Sequence, residues 1–304
     1  MKAVVLREFG AAERLEWAEV PDPTPADGEQ VVRVRAAGVN FVDVLIRQGK
    51  YPQAPPLPTI LGREVAGEVD SRRVIALLEE GGYAERVSAS GSWLFPLPER
   101  ASFEQGAVFL IAFLSAYMPL TRQARVGPGS TVLVHGAAGG VGTAAIQVAK
   151  HLGARVVATA GTKERRAFAL ELGADEAHAY DDFADNVSAD VVLDMVGGEV
   201  FARSLKVLRP FGSLIAVGSS GGWWETVDPA LLVGRNVSVS GFFLGRLMRL
   251  APQLVRESAD ELLQLWSTGA IEPVVGDRFP LSNAAESHRV IEERRQRGKV
   301  VLVP

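Results

Sequence analysis

Short runs of alternating apolar and polar residues fill the first third of the chain. "KAVVL" (2–6) and "QVVRVRAAGV" (30–39) read as strands, and "PDPTPADGE" as a turn-rich connector. "YPQAPPLP" (51–58) holds four prolines, so it is expected as an extended loop on a surface or lining a cleft. From about residue 113 the rhythm changes. "STVLVHG" is a strand. In "VGTAAIQVAKHLG" the apolar residues Val141, Ala144, Ala145, Val148 and Leu152 share one helical face, with Gly153 as the stop. "ARVVATAG" is the next strand, and "TKERRAFALELG" a helix ending at Gly173. "EAHAY", "ADVVLDMVGG", "GSLIAVGSS" and "NVSVSGFFL" read as four further strands. Strands alternating with helices imply a parallel sheet covered on both faces. "APQLVRESADELLQLWSTG" and "HRVIEERRQRG" are expected helices, and "KVVLV" a last strand. The fold class is therefore α/β. Residues 113–244 form one doubly wound domain. Residues 1–112 and 245–304 form a second, β-rich domain closed by the final strand.

Composition narrows the function classes. A net charge of −4 gives no general attraction to nucleic acid or to an anionic membrane. There is no cysteine, which removes disulfides, thiolate nucleophiles and cysteine-built zinc sites, and fits a cytoplasmic protein. The start lacks the long apolar stretch of a signal peptide. The uncharged stretch 105–121 borders on membrane-span length but contains Ser115, Tyr117 and Pro119, and is expected as a buried helix.

The densest motif is "VHGAAGGVG" (134–142). A glycine-rich turn between the first strand and first helix of such a unit seats a pyrophosphate. The negative charge there meets free N–H groups and the positive end of the helix. Gly139 and Gly142 keep the spacing of the last two glycines of the dinucleotide fingerprint. Ala137 replaces the first, and Gly136 adds freedom one residue earlier. The candidate cradle is Gly136, Ala138, Gly139, Gly140, Val141 and Gly142. A tight turn with nothing bound would use the same residues, but the run of strand–helix units that follows favours a dinucleotide.

The end of the second strand decides which one. An NAD site carries an acid there for the ribose 2′-hydroxyl. Here Thr159, Ala160 and Gly161 hold none, and Lys163, Arg165 and Arg166 follow. Cations at a helix start oppose its dipole, and a 2′-phosphate supplies the compensation. Gly161, Lys163 and Arg165 are thus candidates for NADPH, against the alternative of a solvated basic helix start.

These residues carry a family. "VLVHGAAGGVGTAAIQVAKHLGARVVATAG" resembles the coenzyme domain of medium-chain dehydrogenase/reductases, in particular the zinc-free quinone oxidoreductase or zeta-crystallin-like branch. "VVRVRAAGVNFVDVLIRQGKY…LGREVAGEV", "GGYAERV" and "GKVVLVP" agree, so the resemblance spans nearly the whole chain. It implies a GroES-like β-rich catalytic domain beside a Rossmann domain, with the active cleft between them. Zinc relatives have a cysteine ligand where this chain has Asn40, and a His-Glu pair where it has Arg63-Glu64. No metal is expected, and hydrogen-bond donors must polarise any carbonyl. Between 69 and 81 the chain is shorter than its relatives, as a trimmed surface loop would be.

The resemblance also implies site residues. Asn40 sits near the nicotinamide end, or is a structural turn asparagine. Tyr51 lines the cleft, or anchors the proline loop. Asp43 and Glu64 are expected to fix backbone. Tyr180 ends the third strand beside the 2′-phosphate or adenine, or is an ordinary strand tyrosine. Val196 and Gly218 lie at strand ends on the ligand edge. In "GFFL", Phe242 and Leu244 contact the nicotinamide amide through backbone, or pack a dimer. Arg294, in the terminal basic helix, approaches the phosphates or is solvated. The implied function is NADPH-dependent reduction of a quinone, a small-molecule acceptor, by a homodimer. The alternatives are a reductase of activated alkenes such as enones, 2-alkenals or enoyl thioesters, and a non-enzymatic nucleotide- or RNA-binding protein.

Overall fold

The computed structural model describes residues 1–304, which divide into two compact units. The first comprises Met1–Ile111 and Pro273–Pro304, the second Ala112–Glu272.

The first unit is a β structure around one long strand, Glu29–Gly38. That strand pairs antiparallel with Arg86–Ser90, with Glu64–Val69 and with the last strand, Lys299–Val303. Val32 and Val34 point into the core while Arg33 and Arg35 point out, the period-two pattern of a half-buried strand. Glu64–Val69 continues into Arg72–Leu77 through Asp70 and Ser71, both at positive φ (46° and 67°). Two positive-φ residues match the right-handed twist of the flanking strands. The shortened segment thus ends as a tight hairpin. A separate three-stranded sheet joins Leu15–Glu19, Lys2–Leu6 and Thr59–Ile60. The proline-rich stretch 51–58 contains no helix and no strand.

The second unit holds six parallel strands. Across the sheet they run Glu176–His178, Arg155–Thr159, Thr131–Val134, Ala189–Asp194, Leu208–Ala216 and Ser238–Gly241. The first strand in sequence is therefore internal, and the order reverses beside it. All four residues of Thr131–Val134 are buried, as expected for a strand covered on both faces. The helix Gly140–His151 behind it buries Thr143, Ile146 and Ala149 as well as Ala144, Ala145 and Val148. Its contact surface is wider than a single stripe.

Four expectations change. Residues 245–272 group with the second unit. Helix Pro252–Thr268 turns Val255, Leu262 and Trp266 inward, and Tyr117 and Arg122 both bond to its Glu261. The apolar stretch 105–121 is not one helix. Phe103–Ala107 ends, Leu110–Met118 follows, and Pro119–Gln123 widens into a π turn closed by Ala124 N–H on the Pro119 carbonyl at 2.9 Å. Proline at its head disrupts the regular α pattern. No helix is long and apolar enough to cross a membrane. The strand expected to reach Leu244 ends at Gly241, and Leu244 opens the helix Leu244–Leu250. Helix Ala284–Glu292 stops before Arg294, which has φ 54°. Arg294 therefore follows the helix as a left-handed terminal residue, not as part of its face.

Candidate active site

In the second unit, backbone N–H groups and glycines collect where the first strand gives way to its helix. His135 N–H bonds to the Leu193 carbonyl (3.1 Å) and Ala137 N–H to that of Thr159 (3.1 Å), which hold the turn against both neighbouring strands. Gly136 adopts φ 64°, a conformation that favours glycine. At Gly142 an added Cβ would lie 2.2 Å from the Gly136 oxygen and 2.7 Å from Ala137 Cα. Only a glycine lets the helix start so close to the turn. Gly139 is the N-cap and has no side chain to cap the first turn. The N–H groups of Gly140, Val141 and Gly142 are thus set at the positive helix end, an arrangement that favours an anionic group.

The turn rests on a buried polar support. Ser204 donates to the Val200 carbonyl (2.6 Å), so it must accept from His135 Nε2 (2.7 Å), and His135 Nδ1 then accepts from the Thr159 hydroxyl (2.7 Å). Burial pushes the His135 imidazole down to about 3 and keeps it neutral.

At the end of the second strand, Thr162 caps the helix Lys163–Glu171, and its hydroxyl accepts from Arg165 N–H (3.3 Å). Lys163 is exposed and Arg165 half-buried, while Arg166 turns back to the Ala160 carbonyl (3.2 Å). Tyr180 lies past its strand, which ends at His178. Its ring nonetheless comes to Gly161, where a Cβ would be 3.8 Å from Tyr180 Cε2. Arg203 holds that corner through the carbonyls of Tyr180 and Asp181, both at 2.7 Å. The structure therefore brings Gly161, Lys163, Arg165 and Tyr180 to one corner of the sheet.

On the other side of the turn, Asp194 ends the fourth strand and accepts from Val196 N–H (2.8 Å) and Gly197 N–H (3.1 Å). Burial raises its carboxyl to about 6. Gly218 N–H bonds to the Asp194 carbonyl (3.2 Å), so Val196 and Gly218 are fixed by one residue. Phe242 is buried and its N–H continues the ladder to the Ala216 carbonyl (2.9 Å), while Leu244 is buried in its helix. Arg294 belongs to the other unit.

In the first unit, charged groups are buried around Asn40, the N-cap of the helix Phe41–Arg47. Asp43 accepts from Asn40 N–H (2.8 Å) and from the Tyr83 hydroxyl (3.1 Å). Because Tyr83 donates there, it accepts from His288 Nε2 (3.2 Å). Burial raises the Asp43 carboxyl, depresses the His288 imidazole to about 3 and moves the Tyr83 phenol well above its ordinary value. Glu64 is fully buried. It accepts from Ile111 N–H (3.1 Å), from the Asn40 amide (3.4 Å) and from the ammonium of Lys299. Asp43 and Glu64 thus both hold backbone. Tyr51 is half-buried, and the Arg63 guanidinium lies over its ring, 5.5 Å from the centroid.

This donor set does not fit zinc. Asn40 is an amide, Arg63 a cation, and Glu64 already neutralises an ammonium. No group of three or more His, Cys, Asp or Glu residues stands ready for a metal ion. In the sequence, Asp194 and Lys299 carry no assigned role, and Arg63 reads only as a residue unable to bind zinc. Their signal was present: one or two charges set in or at the end of an apolar run, as in "LGREVAG", "VVLDMVG" and "GKVVLV".

Two family models match the chain, an alcohol dehydrogenase GroES-like domain over residues 26–76 and a zinc-binding dehydrogenase over 140–264. Human quinone oxidoreductase is 32% identical over 326 residues, covering 100% of this chain and 98% of that protein. The quinone oxidoreductase of Thermus thermophilus, solved also in complex with NADPH, is 41% identical with a TM-score of 0.93 and full coverage of both chains. A solved NAD-dependent alcohol dehydrogenase is 34% identical with a TM-score of 0.91, again over both full chains. The chain belongs to the medium-chain dehydrogenase/reductase superfamily, in its quinone oxidoreductase branch.

Proposed function

We propose that this protein is a zinc-independent, NADPH-dependent quinone reductase. The carrying observation is the paired geometry of the second unit. A glycine turn closed to a Cβ at Gly142 lies beside a strand end with no carboxylate and two following cations, Lys163 and Arg165. An acid there would bond a ribose 2′-hydroxyl and repel a 2′-phosphate. The Thermus thermophilus relative solved with NADPH supports the same nucleotide.

NADPH, when bound, supplies the hydride. The chain's part is to hold and orient. Gly136, Ala138, Gly139, Gly140, Val141 and Gly142 receive the pyrophosphate. Gly161, Lys163, Arg165 and Tyr180 take the adenosine 2′-phosphate end. Val196, Gly218, Phe242 and Leu244 bound the nicotinamide end. Arg294, just beyond its helix, remains the candidate from the first unit for the cofactor phosphates. Asn40 and Tyr51 are the acceptor-side residues. Both amide hydrogens of Asn40 face oxygens already, Glu64 Oε1 at 3.4 Å and the Gly38 carbonyl at 3.5 Å. Asn40 therefore shapes the site, and the Tyr51 phenol is the donor that meets negative charge growing on the acceptor oxygen. The sheet's last strand, Ser238–Gly241, has an open outer edge, where a second copy would pair in a homodimer.

The test is NADPH oxidation against a panel of quinones, enones and aldehydes. The fastest turnover is expected with a quinone. Faster turnover of an enone would make the protein an alkene reductase. Tight NADPH binding with no oxidation by any acceptor would make it a nucleotide-binding protein without this activity.

A further inference from the structure

We propose that Arg63 recognises an anionic group on the acceptor, so that the preferred substrates carry a carboxylate or a sulfonate. The inference rests on the quinone-reductase reading above for the word acceptor, and on Arg63 itself for the word anionic.

Arg63 immediately precedes the buried strand Glu64–Val69, and its carbonyl accepts from Leu78 N–H (2.8 Å), so its backbone is fixed. The side chain is half-buried. Its Nε is buried with no hydrogen-bond partner. No carboxylate lies within ion-pair distance of the guanidinium. Glu64, its chain neighbour, is committed to Lys299, Asn40 and Ile111. Asp43 accepts from Asn40 and Tyr83 through Oδ2, while its Oδ1 is buried without a hydrogen-bond partner; Arg63 makes no ion pair with it and acts on it only through space, opposing the upward push of burial on that carboxyl.

Burying a guanidinium nitrogen without a partner costs about 1–3 kcal/mol. A site tolerates this when a ligand completes the bonding. The Tyr51 ring, 5.5 Å away, holds the guanidinium by cation–π attraction. A fork held in this way matches two oxygens of a carboxylate or sulfonate and discriminates poorly among neutral groups. Tyr51 is also the residue assigned to the acceptor, whereas the nucleotide phosphates have their own cradle at 136–142.

The test compares a sulfonated naphthoquinone with its unsubstituted parent in the wild type, Arg63→Met and Arg63→Lys. The ratio of kcat/KM, sulfonated over neutral, should fall about tenfold or more in Arg63→Met, and lysine should restore part of it. Equal loss for both quinones would overturn the proposal, as would a loss confined to NADPH affinity. A second arm needs no turnover: calorimetric titration of naphthoate, which cannot be reduced, into the NADP⁺-bound protein. Naphthoate should bind about tenfold or more weakly to Arg63→Met than to wild type; equal binding overturns the proposal. If no quinone is reduced but naphthoate still discriminates, the quinone-reductase reading fails and the anion site stands.

Discussion

The ammonium of Lys299 bonds to Glu64 in the interior of the first unit, where the two side chains are 7% and 0% exposed. One residue opens the final strand, the other opens Glu64–Val69, and both strands flank Glu29–Gly38. The pair therefore ties the C-terminal segment to the centre of the β unit. Burial pushes the Lys299 ammonium down to about 7, with Asp43 pulling in the opposite direction.

Removing one partner leaves the other charge stranded. Lys299→Met should cost about 3–5 kcal/mol of stability. Lys299→Met with Glu64→Gln should recover much of that, because the glutamine oxygen can still accept from Ile111 N–H. Urea unfolding of the three proteins checks this. A double variant no better than the single one would mean that Lys299 matters for packing and not for charge.

The turn's demand for glycine is testable at two positions that differ only in space. At Gly142 a Cβ would meet backbone at 2.2 Å, whereas at Gly139 the nearest atom, the Gly136 oxygen, lies at 3.3 Å. Gly142→Ala should lose about 1–3 kcal/mol of stability and most NADPH affinity. Gly139→Ala should lose less of both. Thermal unfolding and fluorescence titration with NADPH give the two readouts.

Nucleotide choice is assigned to Arg165. Arg165→Ala should raise the Kd for NADPH about tenfold or more and leave that for NADH within about twofold. Equal weakening of the two nucleotides would remove Arg165 from the 2′-phosphate.

His135 and His288 are buried and neutral, each pushed down to about 3. Unfolded, each titrates near 6.5. Between these values the unfolded chain binds more protons, so stability is full above about 6.5 and falls as pH drops toward 3. Asp194, raised to about 6, works in the opposite sense, losing stability as pH rises from its unfolded value through 6. Asp43, also raised by burial, acts in the same sense as Asp194, so the histidine contribution is read as the difference between wild type and a histidine variant. Each histidine should contribute a decline in unfolding free energy of about 1 kcal/mol per pH unit below about pH 6.5. His135→Asn should show about half the histidine slope in urea titrations across that range. An unchanged slope would mean that His135 does not titrate on unfolding.

Much of this protein was legible in its sequence because the signals are local. Strand and helix periods, glycine stops and the spacing of Gly139 and Gly142 are set by backbone sterics within a few residues. The same holds for the absence of acid at Thr159–Gly161, read against the helix that follows. The tertiary structure decided what depends on partners far along the chain. Tyr180 reaches Gly161 from beyond its strand because the turn is held by Arg203. Residues 245–272 join the second unit because their apolar face finds its core there. Glu64 finds its cation 235 residues away. Arg63 reads in sequence only as a residue that cannot bind zinc. Its buried, unpartnered nitrogen and its place over Tyr51 exist only in the fold, because burial and pairing belong to the surroundings a side chain is folded into.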